Sequence, residues 1–276
     1  MPVKTIATIL TQAETARPVF EAAEAIASEQ GAHIVVLHGE VIDPPPVLSP
    51  LDLPDSSVIA SLYDAAAEKS ARIKAVFDDC AARTSVSCEW RPFKGSSGAA
   101  TVGLIDSVRA ADLVITSQPQ QGNVSEHDSI LFEGGRPILF IPWIDKQFKQ
   151  FKRVLIAWDG SRGVARATFD SLGLLHAANE IEIFTVDARS SDDQPADLAA
   201  AEIAASLARH GLKVTTRTQA SEKLPVSAVL ENRCSDFGAD LMIMGGYGTS
   251  RIMERIFGGV THVLLESMTV PVLMAR

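Results

Sequence analysis

The chain has 276 residues, more than one ordinary compact domain, so two units of about 140 residues each are expected. With 46% hydrophobic and 21% charged residues it has a globular composition, far from the polar, highly charged signature of disorder. The net charge of −9 excludes nucleic acid as the expected partner, because binding a phosphate backbone needs Lys and Arg to displace counterions. Cys80, Cys88 and Cys234 are odd in number and show no CxxC spacing, so neither a disulfide framework nor a zinc site is expected. No apolar run is long enough for a signal peptide or a membrane span, and a cytoplasmic protein without membrane contact is expected.

In chain order, the elements repeat. The first half opens on a strand, VKTIATIL (Val3 to Leu10), followed by an amphipathic helix and a second strand. Asp43 to Asp55 then holds five of the 14 prolines, including Pro44, Pro45 and Pro46, and reads as an extended loop. It follows a strand end, so it either covers a cleft or is a plain surface connection. ADLVIT (Ala111 to Thr116) is the fourth strand, and Ile138 to Ile141 in RPILFIP is the closing one. Trp143 to Lys152, with Lys146, Lys149 and Lys152 at every third position, reads as a linker with a solvated charged face. The expected domains are therefore residues 1–145 and 150–276.

The second half repeats this order more clearly. FKRVLIAW (Phe151 to Trp158) matches the opening strand and ADLMIM (Ala239 to Met244) matches ADLVIT. Strands are expected at Val154 to Trp158, Ile181 to Val186, Leu241 to Met244 and Val270 to Met274, short apolar runs suited to parallel strands covered on both faces. Ala199, Ile203 and Leu207 form one helical stripe within Asp197 to His210, and Gly211 stops it. Val226, Leu230, Cys234 and Phe237 form another, stopped by Gly238. Strands alternating with helices imply an α/β fold of two tandem doubly wound parallel-sheet domains of Rossmann-like type. Each half ends on an apolar edge strand, so the halves are expected to pack as a pseudo-twofold pair within the chain, an intramolecular pseudo-dimer, with a homodimer of whole chains left open.

Ligands of such sheets bind beyond the carboxyl ends of the strands. After the first strand of the second half comes Ala157-Trp158-Asp159-Gly160-Ser161, where Asp159 either accepts hydrogen bonds from a ribose or, like Ser161, caps the next helix. After the fourth comes Gly245-Gly246-Tyr247-Gly248-Thr249, and further on Gly258-Gly259-Val260-Thr261 opens a helix from His262 to Ser267. Glycines allow a phosphate to approach the backbone, and the N–H groups of a helix start point at the anion.

These residues resemble the universal stress proteins in their tandem two-domain form. ATP-binding members use Gly, two residues, Gly, nine residues, Gly and then Ser or Thr around the triphosphate. Gly245, Gly248 and Gly258 fit that spacing; Gly259 stands where Ser or Thr is usual, with Thr261 two residues on. The family's aspartate is matched by Asp159, and its adenine-contacting backbone by Val186 or Asp187. The resemblance implies an adenine nucleotide alpha hydrolase-like fold and an adenine-nucleotide site made of Ala157, Trp158, Asp159, Val186, Met244, Gly245, Gly248, Thr249, Gly258, Gly259, Val260 and Thr261. It implies ATP, ADP or AMP as ligand and a regulatory role in stress response; Asp187 and Glu254, in or beside that site, are either solvated side chains or order a magnesium ion with the bound phosphates.

The first half departs from this pattern. Thr11-Gln12-Ala13 replaces Asp159-Gly160-Ser161, Ser117-Gln118-Pro119-Gln120 has no glycine, and Asp112 to Pro137 spans 25 positions against 31 from Asp240 to Pro271. This half is expected to keep the fold without the nucleotide site. No catalytic residues are assigned: the chain lacks GxxxxGK[ST] and a GxGxxG after a first strand, its six histidines are scattered, and His33 and His38 point to opposite faces of a strand. A slow ATPase and an interaction scaffold with both sites empty remain the alternatives.

Overall fold

The computed structural model describes residues 2–43, 55–119, 125–144, 148, 150–187, 198–246 and 259–276. The first half runs β1 (Thr5–Ile9), α1 (Ala13–Gln30), β2 (His33–Val41), α2 (Ser56–Ala81), β3 (Cys88–Gly95), α3 (Ser97–Arg109), β4 (Leu113–Ser117), α4 (Ser125–Glu133) and β5 (Ile138–Ile141). The second runs β6 (Arg153–Ala157), α5 (Arg162–Asp170), α6 (Leu172–Leu175), β7 (Glu180–Val186), α7 (Leu198–Arg209), β8 (Val214–Gln219), α8 (Val226–Phe237), β9 (Leu241–Gly245), α9 (Val260–Ser267) and β10 (Val272–Ala275).

All these strands join one ten-stranded sheet in the order β3-β2-β1-β4-β5-β10-β9-β6-β7-β8. Neighbours are parallel except at the centre, where β5 and β10 run antiparallel with Leu139 opposite Leu273, flanked by Phe140 opposite Val272 and Ile138 opposite Met274. Outward from this seam, each half reads closing strand, fourth, first, second, third. The six seam residues are essentially inaccessible to solvent. Burying a large apolar side chain of this kind contributes about 1.5–3 kcal/mol, so the seam is a stabilising core and not a loose contact. Alternation along the strands sends Leu139 and Leu273 to one face and Phe140 and Val272 to the other. Both hydrophobic layers therefore run through the seam from one half to the other.

The repeated ADL text has a direct physical cause. Asp112 Oδ2 accepts from the backbone N–H groups of Lys4 (2.8 Å) and Thr5 (2.9 Å) at the start of β1. Asp240 does the same for β6, accepting from Lys152 N at 2.8 Å and Arg153 N at 3.0 Å. Each aspartate thus fixes where the first strand lies beside the fourth. Gly211 and Gly238 adopt the left-handed conformation expected of helix stops, with φ of +80° and +65°.

Boundaries shift where backbone chemistry demands. β10 begins at Val272 and not Val270, because Pro271 has no N–H to give to the ladder. α9 begins at Val260, ahead of His262. Of the proline-rich stretch, Asp43 accepts from Ser97 N at 2.8 Å and Asp55 caps α2 by accepting from Ser57 N at 2.9 Å; residues 44–54 lie outside the described residues. Within the linker, Phe151 is buried against Phe148, and Lys152 Nζ donates to the Ala177 carbonyl at 3.2 Å, so this end is docked instead of solvated. Lys146 and Lys149 lie outside the described residues. Among the described residues no helix is long and apolar enough to cross a membrane.

Candidate functional site

At the carboxyl edge of the second half, β6 ends at Ala157 and Trp158 N still donates to Phe184 O (2.9 Å) on β7. The chain then turns: Asp159 Oδ1 accepts from Ser161 N at 2.9 Å, and Ser161 Oγ accepts from Val164 N at 3.3 Å as the cap of α5. Capping therefore falls to Ser161. Asp159 spends one oxygen on the turn, and its side chain is exposed at the mouth of a cleft.

That cleft, of about 180 Å³, brings together Ala157, Trp158, Asp159, Val186, Met244, Gly245, Val260 and Thr261. Phe184, Val226 and Leu230 also line it, residues that by sequence pattern alone read as core. The signal for Phe184 was present: it lies two residues before Val186, hence on the same face of β7. Val226 and Leu230 belong to the inward stripe of α8, whose first turn reaches the cleft. The walls are mainly apolar, with the exposed carboxylate of Asp159 and the start of α9 at the rim. Gly259 is the N-cap residue of α9, its carbonyl accepting from His262 N at 3.0 Å. The start of α9 turns the positive end of its helix dipole toward the cleft, which suits an anion.

Two of the glycines have packing reasons. A Cβ on Gly245 would lie 2.9 Å from Val164 N and 3.0 Å from Ser161 Oγ, because α5 starts directly against the end of β9. A Cβ on Gly246 would lie 2.7 Å from Leu131 Cδ2 on α4 of the other half. Gly248, Thr249, Glu254 and Gly258 lie outside the described residues. Asp187 has φ of +50° and its Oδ1 accepts from Ser221 N at 2.8 Å, a bond that holds its carboxyl below the ordinary carboxylate value. Among the described residues no cluster of three or more His, Cys, Asp or Glu is placed to hold a metal ion.

Residues 150–276 match the family model described as the universal stress protein family. This half of the chain is similar to universal stress protein domains. A universal stress protein of Synechocystis is 30% identical over 164 residues, 58% of this chain and 54% of that protein, so the chain spans about half the length of the curated relative it matches. Among solved structures, a universal stress protein from Archaeoglobus fulgidus DSM 4304 superposes with a TM-score of 0.65 at 19% identity, covering 97% of this chain and 94% of its own. A putative universal stress protein from Pseudomonas aeruginosa UCBPP-PA14 gives 0.57 at 13% identity, covering 98% and 92%. These two share the fold over almost the whole length, including the half that the family model does not reach.

The first half differs from residues 150–276 at equivalent positions. Gln118 N donates to Ile141 O at 2.7 Å just as Gly246 N donates to Ala275 O at 3.0 Å, so Gln118 stands where Gly246 stands. Its side chain is committed: Nε2 donates to Glu266 O on α9 at 2.9 Å, and Oε1 accepts from Trp143 N at 3.1 Å. His127, the same distance before the closing strand as Thr261, is buried, and burial lowers its pKa to about 4. The ring is neutral at pH 7, and both its nitrogens lack a hydrogen-bond partner.

Proposed function

We propose that the universal stress protein domain binds an adenine nucleotide in the cleft at the carboxyl ends of β6, β7 and β9, and that the chain is a nucleotide-responsive regulatory protein of stress response. The supporting observation is convergence: Asp159, Val186, Gly245 and Thr261, drawn from four different segments, meet at one apolar cleft beside a helix start. In this reading the base lies between Phe184, Val186 and Leu230, burying apolar surface. The carboxylate oxygen of Asp159 not used in the turn takes a ribose hydroxyl. Gly248, Thr249, Gly258 and Gly259 supply backbone N–H groups to the phosphates, aided by the α9 terminus at about 0.3–1 kcal/mol. Because Asp187 is tied to Ser221, magnesium would arrive held mainly by the phosphates.

In this reading residues 150–276 carry the nucleotide and residues 1–145 form a second domain without one. The β5–β10 seam then makes an intramolecular pseudo-dimer in the cytoplasm. One observation favours the scaffold alternative: Gly245 and Gly246 are both demanded by packing, so neither needs a phosphate to explain it. Mass spectrometry of the protein purified without added nucleotide tests the proposal. ATP, ADP or AMP carried through purification is expected; a ligand-free protein that also ignores added nucleotide would leave the scaffold.

A further inference from the structure

The first half has a cleft that is larger than its counterpart at the carboxyl strand ends of the second half. At the carboxyl ends of β1 and β2 it encloses about 570 Å³, against about 180 Å³ in the second half. Its lining includes Thr11, His38, Glu40, Asp43, Lys69 and Glu133, a polar set with no counterpart in the apolar walls of the nucleotide cleft. By strand register, His38 replaces Thr185 and Glu40 replaces Asp187.

His38 is 2% exposed, and its Nδ1 donates to the Leu10 carbonyl at 2.8 Å. A carbonyl only accepts, so the ring proton sits on Nδ1 and Nε2 carries a lone pair. Burial disfavours a second proton, reinforced by Lys69 and opposed by the Leu10 bond and Glu40, so the ring stays a neutral acceptor. Nε2 has no partner. The ring stacks on Trp90 with centroids 5.6 Å apart, which resists rotation toward another donor. A buried acceptor left unpaired is uncommon and needs a reason.

The charges around it narrow the reason. Glu40, on the same face of β2, is 7% exposed and is met at 3.0 Å by Lys94, whose side chain is 66% exposed and reaches in from the edge strand. Asp43 at the rim gives one oxygen to Ser97 N, and Glu133 closes the α4 side. The three carboxylates Glu40, Asp43 and Glu133 still outnumber the two cations facing them, Lys69 in the lining and Lys94 on Glu40. Such a field repels phosphate and attracts a cation bearing N–H donors.

We propose that the first-half cleft is a separate binding site for a small protonated aliphatic amine, whose N–H groups donate to His38 Nε2 and to the carboxylates of Glu40 and Asp43. An ammonium group supplies what this cleft lacks, since it has only donors and His38 Nε2 is an unpaired acceptor beside carboxylates with further acceptor capacity. Its bonds to the carboxylates are charge-assisted and therefore strong for their number. The halves would then have diverged in ligand charge, an anion in one and a cation in the other.

Calorimetry on the full chain tests this, with putrescine as probe, 1,4-butanediol as its uncharged counterpart and ATP as the control for the other cleft. One putrescine per chain is expected, with no binding of butanediol over the same concentrations. Glu40→Gln and His38→Phe should each weaken putrescine by about tenfold or more, the worth of one charged hydrogen bond, while leaving ATP affinity unchanged. Should either variant fail to fold, Asp43→Asn at the rim carries the same expectation. In nitrogen-15 spectra of the native chain, putrescine should move the His38 Nε2 resonance and leave Nδ1 in place. Absence of putrescine binding, equal binding of butanediol, putrescine affinity indifferent to the variants, or ATP occupying this cleft would each overturn the proposal. A loss of ATP binding alone would count against the nucleotide reading and not against this one.

Discussion

Gln118 and Gly246 occupy equivalent places after the fourth strands of the two halves, and they face the seam in opposite ways. Gln118 reaches across to the last turn of α9, whereas Gly246 withdraws so that Leu131 of α4 can come close. What the halves share is what the sheet needs: paired aspartates at the strand starts, the strand order and the antiparallel seam. What they do not share is the set of side chains and glycines at the carboxyl edge. A duplicated fold is thus held by its strand starts and specialised at its strand ends, as expected when ligands sit beyond the carboxyl termini of parallel strands.

The largest stability effect expected from this difference is pH-dependent and belongs to the first half. His127 binds a proton near its ordinary value of 6.5 when unfolded but only near about 4 when folded. Between those values the unfolded chain holds more protons, so its contribution is present above pH 6.5 and is lost as pH falls toward 4, by on the order of 3 kcal/mol. Urea denaturation at a series of pH values should show this slope, and His127→Leu should flatten it. An unchanged slope in that variant would mean the loss comes from other groups.

Next in size, the strand-start aspartates should behave as a matched pair. Asp112→Ala and Asp240→Ala each remove an acceptor of two backbone N–H groups and should each cost about 2 kcal/mol in denaturant unfolding. Strongly unequal losses would break the symmetry drawn above. Smaller still, Asp159→Ala should weaken ATP binding by about 1 kcal/mol, the net worth of one hydrogen bond, with stability little changed because Ser161 keeps the cap. Unaltered affinity would leave Asp159 as a turn residue alone.

The duplication was legible because its physical causes are local. Short apolar runs, helical stripes and a left-handed glycine leave their marks within a few residues, so β7, α8 and β9 fall close to where their residues suggest. Each closing strand reads as an apolar edge in the sequence, but the β5–β10 register, Leu139 against Leu273, depends on contacts between distant segments. Much of the candidate cleft was read only through a family resemblance. Phe184 and Leu230 look like ordinary core residues until the strand ends are assembled around them. The roles of Gly245 and Gly246 in packing, and of His38 as a stranded acceptor, depend on neighbours far away in sequence and could not be read from spacing.

The central claim is that one half of the chain holds a nucleotide and the other does not. Calorimetric titration of the full chain with ATP tests this most directly. The account predicts a stoichiometry near one per chain, and no binding in Gly258→Val, where a branched side chain takes the space of the phosphates while the fold persists. Two equivalent sites, or undiminished binding in a folded Gly258→Val chain, would contradict it.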